Sequence, residues 1–150
     1  MYHAIVRRKA RGLFESLGRG DWQATTVDLA DDVHHVFPGD HPLGGERHSR
    51  AAIERWFERL YRLYPELSFE VDRVVAKGWP WNTTIAVEWR DRGTCADGVT
   101  YRNTGAHFIR LRWGKGVYVH AYLDTDVIAD SCRRMAAAGI EEAAAAPIVS

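Results

Sequence analysis

The sequence predicts an α+β fold in which a curved antiparallel sheet wraps around N-terminal helices. Helical periodicity is confined to the first 65 residues and to a C-terminal segment. From Ser68 to Asp124 the chain instead alternates apolar and polar residues in long runs broken by glycine-centred turns. No repeat or linker divides the 150 residues, so one continuous domain with one core is expected over 1–150.

Each element has a local reason. From Ala4 to Leu17 the spacing of Ile5, Leu13, Phe14 and Leu17 predicts an amphipathic helix that stops at Gly18. Asp21 is placed to cap a short second helix carrying Trp22, Val27 and Leu29 on its buried side. VHHVF, residues 33–37, reads as a strand ended by Pro38-Gly39. The stretch PGDHPLGGERH that follows has two prolines and three glycines and is expected to be a loop. Ser49 can cap the helix RAAIERWFERLYRLY, whose Ile53, Trp56, Phe57, Leu60 and Tyr64 form one apolar stripe, and Pro65 ends it. Four strands follow: SFEVDRVVAKGW, WNTTIAVEWRD, YRNTGAHFIRLRW and VYVHAYLD. The turn signals are Gly78, Ala96-Asp97-Gly98 and Gly114-Lys115-Gly116. Asp124 or Asp126 can cap a final helix, whose alanine-rich tail is expected to fray from about residue 137.

Composition removes several functions. Twenty basic and twenty acidic residues cancel, which leaves no global attraction for nucleic acid or an anionic membrane surface. Hydrophobic residues at 46% with charged residues at 27% describe a soluble globular chain. Cys95 and Cys132 alone build neither a disulfide framework nor a four-ligand metal site. The start of the chain lacks a signal-like apolar run and no stretch approaches a membrane span, so a cytoplasmic location is expected.

Strand parity orients the polar residues. In strand 101–113, Tyr101, Asn103, Gly105, His107, Ile109, Leu111 and Trp113 share one face. That face must be the inner one, because the other would bury Arg110 and Arg112 without partners. A three-residue turn at Gly114-Lys115-Gly116 pairs Ile109 with Ala121 and His107 with Leu123, so both apolar faces coincide and Asp124 points away from His107. A bulge near Gly105 or after Tyr122 would reverse this locally.

HVFPGDHPLGGERHSRAAIERWFERL, followed by AVEWRDRG, DGVTYRNTGAHFIRLRWGKG and AYLDT, resembles the SnoaL-like branch of the nuclear transport factor 2-like superfamily over roughly residues 2–130. The resemblance implies a cone-shaped domain enclosing a central pocket, commonly paired through the outer sheet face. Its members include polyketide cyclases, ketosteroid isomerases, epoxide hydrolases and proteins that only bind. Several catalytic relatives carry an inward acid three residues before the aspartate matching Asp124; here that position is Ala121, which can neither take nor give a proton.

The pocket is therefore expected to be aromatic. His35, Phe37, Trp56, Trp81, Trp89 and Ala121 are its predicted lining, and His107, Asn103 and Tyr101 its predicted catalytic or polar groups. His34, His41 and His48 with Asp40 read as solvated loop residues rather than a metal centre, since adjacent His34 and His35 face opposite ways and no ligand spacing is diagnostic. No cofactor signature appears. Phe108, Arg110, Arg112, Tyr118, His120 and Tyr122 cluster on the outer face, a composition that suits a homodimer contact. The expected function is binding of a small, mostly apolar cyclic molecule, with cofactor-independent isomerase, cyclase or hydrolase chemistry through His107. The alternatives are a non-catalytic binding protein or a dimeric interaction module with a filled pocket.

Overall fold

The computed structural model describes residues Met1–Ser150. The order of elements is α1 (Tyr2–Gly18), α2 (Gln23–Thr26), β1 (Leu29–Phe37), β2 (Gly45–Arg47), α3 (Arg50–Leu63), β3 (Ser68–Trp79), β4 (Asn82–Thr94), β5 (Thr100–Arg112), β6 (Lys115–Leu123) and α4 (Thr125–Ala137). Six strands form one curved, unclosed sheet in the order β2-β1-β6-β5-β4-β3. The pairing is antiparallel except between β1 and β6, which run parallel. Register shifts at Val71/Arg73, Arg110/Leu111 and Leu29/His34 supply the local bends of a strongly curved sheet.

Helix α1 packs Val6, Ala10, Phe14 and Leu17 against Val74, Ile85, Val87 and Trp89. These residues recur at helical spacing one position round from the expected stripe, so Ile5 points outward and is 60% exposed. Helix α3 begins as expected: the Ser49 hydroxyl accepts the Ala52 N–H at 3.1 Å. With α4 it encloses a second core cluster around Phe37, Trp56, Leu60, Leu63, Met135 and Ile128. Burial of each such large apolar side chain contributes about 1.5–3 kcal/mol. The second helix is a single turn. Its Trp22 stacks on Phe57, centroids 5.7 Å apart, while Val27 is exposed and Leu29 opens β1.

Two expectations change along the chain. The proline- and glycine-rich stretch after β1 is not all loop, because Gly45–Arg47 pairs with His35–Phe37 as an edge strand. Within that stretch His41 is buried: its Nδ1 accepts the Leu43 N–H and its Nε2 lies 2.9 Å from the Pro38 carbonyl. The tail, expected to fray from about residue 137, folds back against β2 and α3. A 3-10 turn (Glu141–Ala144) places Glu142 between Arg59 and Arg62, and Arg47 and Arg59 donate to the carbonyls of Ile148 and Ala146. Such long-range clamps are invisible in an alanine-rich tail.

From Gly105 to Arg110 the β5–β6 hairpin keeps the predicted faces but not the predicted register, while Trp113, expected inward, sits in the turn and is 70% exposed. His107 pairs with Ala121 and Gly105 with Leu123, two residues from the expected pairing: reversal at Trp113-Gly114 moves the register by three, and the irregularity at Arg110/Leu111, which leaves Val117 without a ladder partner, returns one. A shift of two preserves which side each residue faces. No bulge falls between Gly105 and Arg110, so His107 stays inward. Asp124 is the N-cap of α4, its Oδ1 accepting the Asp126 N–H at 3.1 Å, and it makes no contact with the imidazole.

Candidate functional site

Between α1, α3 and the concave face of the sheet lies a cavity of about 160 Å³. Phe14 and Leu17 of α1, Trp56 and Leu60 of α3, and Trp89 and Ile109 of the sheet form much of its wall. Lys9 and Asp28 pair at 3.0 Å, both side chains near half-exposed, and mark the side on which it opens. Deep in this apolar wall stand His35, Asp91, Tyr101 and His107.

His107 is held by a tryptophan. The Trp89 indole Nε1–H donates to His107 Nδ1 at 2.8 Å. An indole nitrogen can only donate, so Nδ1 must carry the lone pair and the neutral ring keeps its proton on Nε2. Nε2 has no protein partner, and the surface the ring retains faces the cavity. Trp89 reaches the imidazole because Gly105 lies under it. A Cβ there would stand 3.0 Å from the indole, 2.9 Å from Leu123 Cβ and 2.4 Å from the Tyr122 carbonyl oxygen. The predicted bulge glycine is thus a clearance for Trp89. Burial, reinforced by nearby His120, pushes His107 down to about 4, so the ring is neutral at physiological pH.

His35 repeats the arrangement with a different donor. Arg47 is fully buried, and its Nε–H donates to His35 Nδ1 at 2.9 Å. A guanidinium cannot accept, so His35 also keeps its proton on Nε2. The remaining Arg47 N–H groups go to the carbonyls of Gly44, Gly45 and Ile148, and its guanidinium lies 5.7 Å from the Trp56 ring centre. No carboxylate pairs with it. Burial, then the neighbouring Arg59, lowers Arg47 to about 10, and burial and Arg47 hold His35 well below its ordinary value. His107 adds to that lowering, and both imidazoles line the cavity.

The group that the sequence reading passed over is Asp91. It follows Trp89 by two residues on β4 and so shares the inner face. The carboxyl is buried, Oδ1 has no hydrogen-bond partner, and burial pushes it up to about 7 against the pull of the Asn103 and Asp91 backbone N–H groups. Alternation alone would have found it. An aspartate flanked by Arg90 and Arg92 reads as a strand end instead.

Of the predicted residues, His35, Phe37, Trp56, Trp89, Tyr101 and His107 line the cavity. Asn103 and Ala121 stand behind the wall. Asn103 Nδ2 donates to the Tyr101 hydroxyl at 3.2 Å and to the Asp124 carbonyl at 3.0 Å, while Ala121 is sealed in the core. Trp81 is misplaced by the prediction: it sits at the β3–β4 turn, 54% exposed, beside Trp79 and Trp113. Burial raises the Tyr101 phenol, which stays protonated and free to donate. The wall thus holds one carboxyl that titrates near neutrality and two imidazoles fixed as donors. Such a set can move a proton and hold an oxyanion.

The SnoaL-like domain family matches residues 10–119. Among solved structures, a nuclear transport factor 2-like protein of unknown function from Burkholderia pseudomallei superposes with a TM-score of 0.72 at 21% identity, covering 82% of this chain and 93% of that one. A nuclear transport factor 2-like protein from Anabaena variabilis gives 0.70 at 23% identity, over 83% and 90% of the two chains. A protein from a Jannaschia species, provisionally named a SnoaL-like polyketide cyclase, gives 0.67 at 15% identity, over 83% and 88%. At these identities the likeness is one of fold. Comparison with proteins of curated function finds no match. With the family matched over most of the chain, the protein belongs to the SnoaL-like domain family, and it shares the fold of its nuclear transport factor 2-like structural neighbours.

Proposed function

We propose that the protein binds a small, mostly apolar cyclic molecule in this cavity and moves a proton on it without a cofactor, as an isomerase or cyclase does. One observation carries the reading: Asp91 is a buried carboxyl with an unpartnered oxygen, pushed up to about 7, in a wall that is otherwise largely apolar. A general base or acid works best when its pKa lies near the working pH. Asp91 takes the proton from a carbon next to a carbonyl and returns it elsewhere on the ring. His107 and His35 present Nε2–H to the oxygen that gains charge. His107 then serves as a donor rather than as the base, because its only lone pair is already taken by Trp89. Trp56, Trp89 and Phe14 supply the surfaces against which a flat ring lies.

The test is exchange of the α-protons of fused-ring ketones in deuterated buffer, followed by NMR. Wild type accelerates exchange, and Asp91→Asn lowers the rate by about 10²–10⁴-fold. Equal rates in wild type and variant would remove Asp91 from the chemistry. Quenching of cavity tryptophan fluorescence by the same ketones without exchange would assign a binding protein instead. The outer face carries Phe108, Arg110, Tyr118, His120 and Tyr122, with His120 stacked on Tyr122 at 4.1 Å. It is proposed to receive a second copy of the chain. Sedimentation then shows a dimer for wild type and a monomer for Phe108→Glu; a monomeric wild type at micromolar concentration removes the proposal.

A further inference from the structure

On the side of the sheet away from the cavity, β1 and β2 bring together three metal-binding side chains. His35 pairs with Arg47 on the inner face, so the next step of the ladder sets His34 across from His48 on the outer face, with Glu46 one alternation further along β2. His34 Nε2 lies 3.4 Å from Glu46 Oε2, His48 Nε2 lies 3.9 Å from the same oxygen, and one ligand atom from each residue falls within 4.8 Å of the others. Two donors held about 2.0–2.2 Å from a tetrahedral zinc ion stand about 3.3–3.5 Å apart, so the His34–Glu46 spacing matches, while the His48–Glu46 spacing of 3.9 Å is wide and closes when the exposed His48 side chain moves inward. The two imidazoles are stacked 4.4 Å apart with their planes 18° from parallel, so one ring, the exposed His48, turns about its side-chain bonds to bring both in-plane lone pairs onto one ion, and Tyr118 packs edge-on against His34 at 5.3 Å.

A second observation points to an absent partner. His34 Nε2 is buried and makes no hydrogen bond, although Glu46 is 3.4 Å away, because the approach is misaligned. A nitrogen shielded from water normally finds a partner.

The geometry points to a divalent transition-metal site of the zinc class, ligated by His34 Nε2, His48 Nε2 and Glu46 Oε2, with the remaining position left to water. Two imidazoles and a carboxylate suit zinc, copper or nickel and disfavour magnesium and calcium, which take oxygen ligands. The sequence reading expected no metal centre, since the fourteen positions from His34 to His48 match no ligand spacing; only the ladder between β1 and edge strand β2 brings them together. The ion ties the outer side of the same two strands that the Arg47–His35 bond ties on the inner side. It therefore braces the strand that presents His35 to the cavity.

The test uses the full chain stripped with EDTA and titrated with zinc chloride by calorimetry. One equivalent binds, the thermal midpoint rises, and cobalt in place of zinc gives the visible absorption of a tetrahedral site. His48→Ala and Glu46→Gln each weaken binding at least tenfold. Both side chains are more than half exposed, so the fold survives their replacement. In wild type, where no variant has to fold, zinc moves the ring ¹⁵N resonances of His34 and His48 and leaves those of His35 and His107. Absence of saturable uptake, unchanged affinity in His48→Ala, competition by millimolar magnesium, or resonance shifts confined to other histidines would each overturn the site.

Discussion

Replacing Asp91 with asparagine should stabilise the protein, and the gain should grow with pH. In the unfolded chain the carboxyl ionises at its ordinary value near 3.8; in the fold it holds its proton to about 7. The group's folded value is raised, so the stability it contributes is complete below 3.8 and is lost as pH climbs through 7. At 1.36 kcal/mol per pH unit, the interval between the two values amounts to about 4 kcal/mol of destabilisation at pH 8. About 3 kcal/mol of that develops between pH 5 and pH 8, less to the extent that cavity water solvates the carboxylate. Asparagine occupies nearly the same volume and does not ionise. Urea denaturation of wild type and Asp91→Asn at pH 5 and pH 8 isolates this group, because every other titration appears in both proteins. The stability difference should move in favour of the variant by about 2–3 kcal/mol across the range. If the two proteins change in parallel, Asp91 is an ordinary ionised carboxylate and the proton-transfer reading fails with it.

Other outcomes follow from the same wall. Nitrogen-15 spectra at pH 7 should show His35 and His107 as neutral rings protonated on Nε2, with His107 still neutral at pH 5; a proton on Nδ1, or titration above pH 6, would contradict the donor assignments. Arg47→Met should lower stability by about 3 kcal/mol or more, because it strands His35 Nδ1 and the carbonyls of Gly44, Gly45 and Ile148. A loss below about 1 kcal/mol in urea denaturation would mean that water replaces the guanidinium without difficulty. Glu142→Gln should cost about 1 kcal/mol and speed hydrogen exchange in residues 141–150, since it releases the carboxylate held by Arg59 and Arg62.

By itself the sequence determined what depends on local periodicity. The alternation of β4 and β5 put Trp89 and His107 on one face, the stripe of α3 turned Trp56 inward, and Ser49 marked where that helix begins. The same alternation carried Asp91, although its charged neighbours disguised it. Parity could not say where a strand stops facing the cavity, so Trp81, one step into the β3–β4 turn, was assigned to a pocket it does not reach. Only the tertiary structure decided the chemistry of the polar groups. Which imidazole nitrogen bears the proton depends on an indole crossing Gly105 and on an arginine entering from an edge strand, contacts 18 and 12 residues apart in the chain. The titration of Asp91 and the meeting of His34 with His48 likewise arise from burial and strand pairing. Periodicity states which way a side chain points; the partner it finds there is settled by segments distant along the chain.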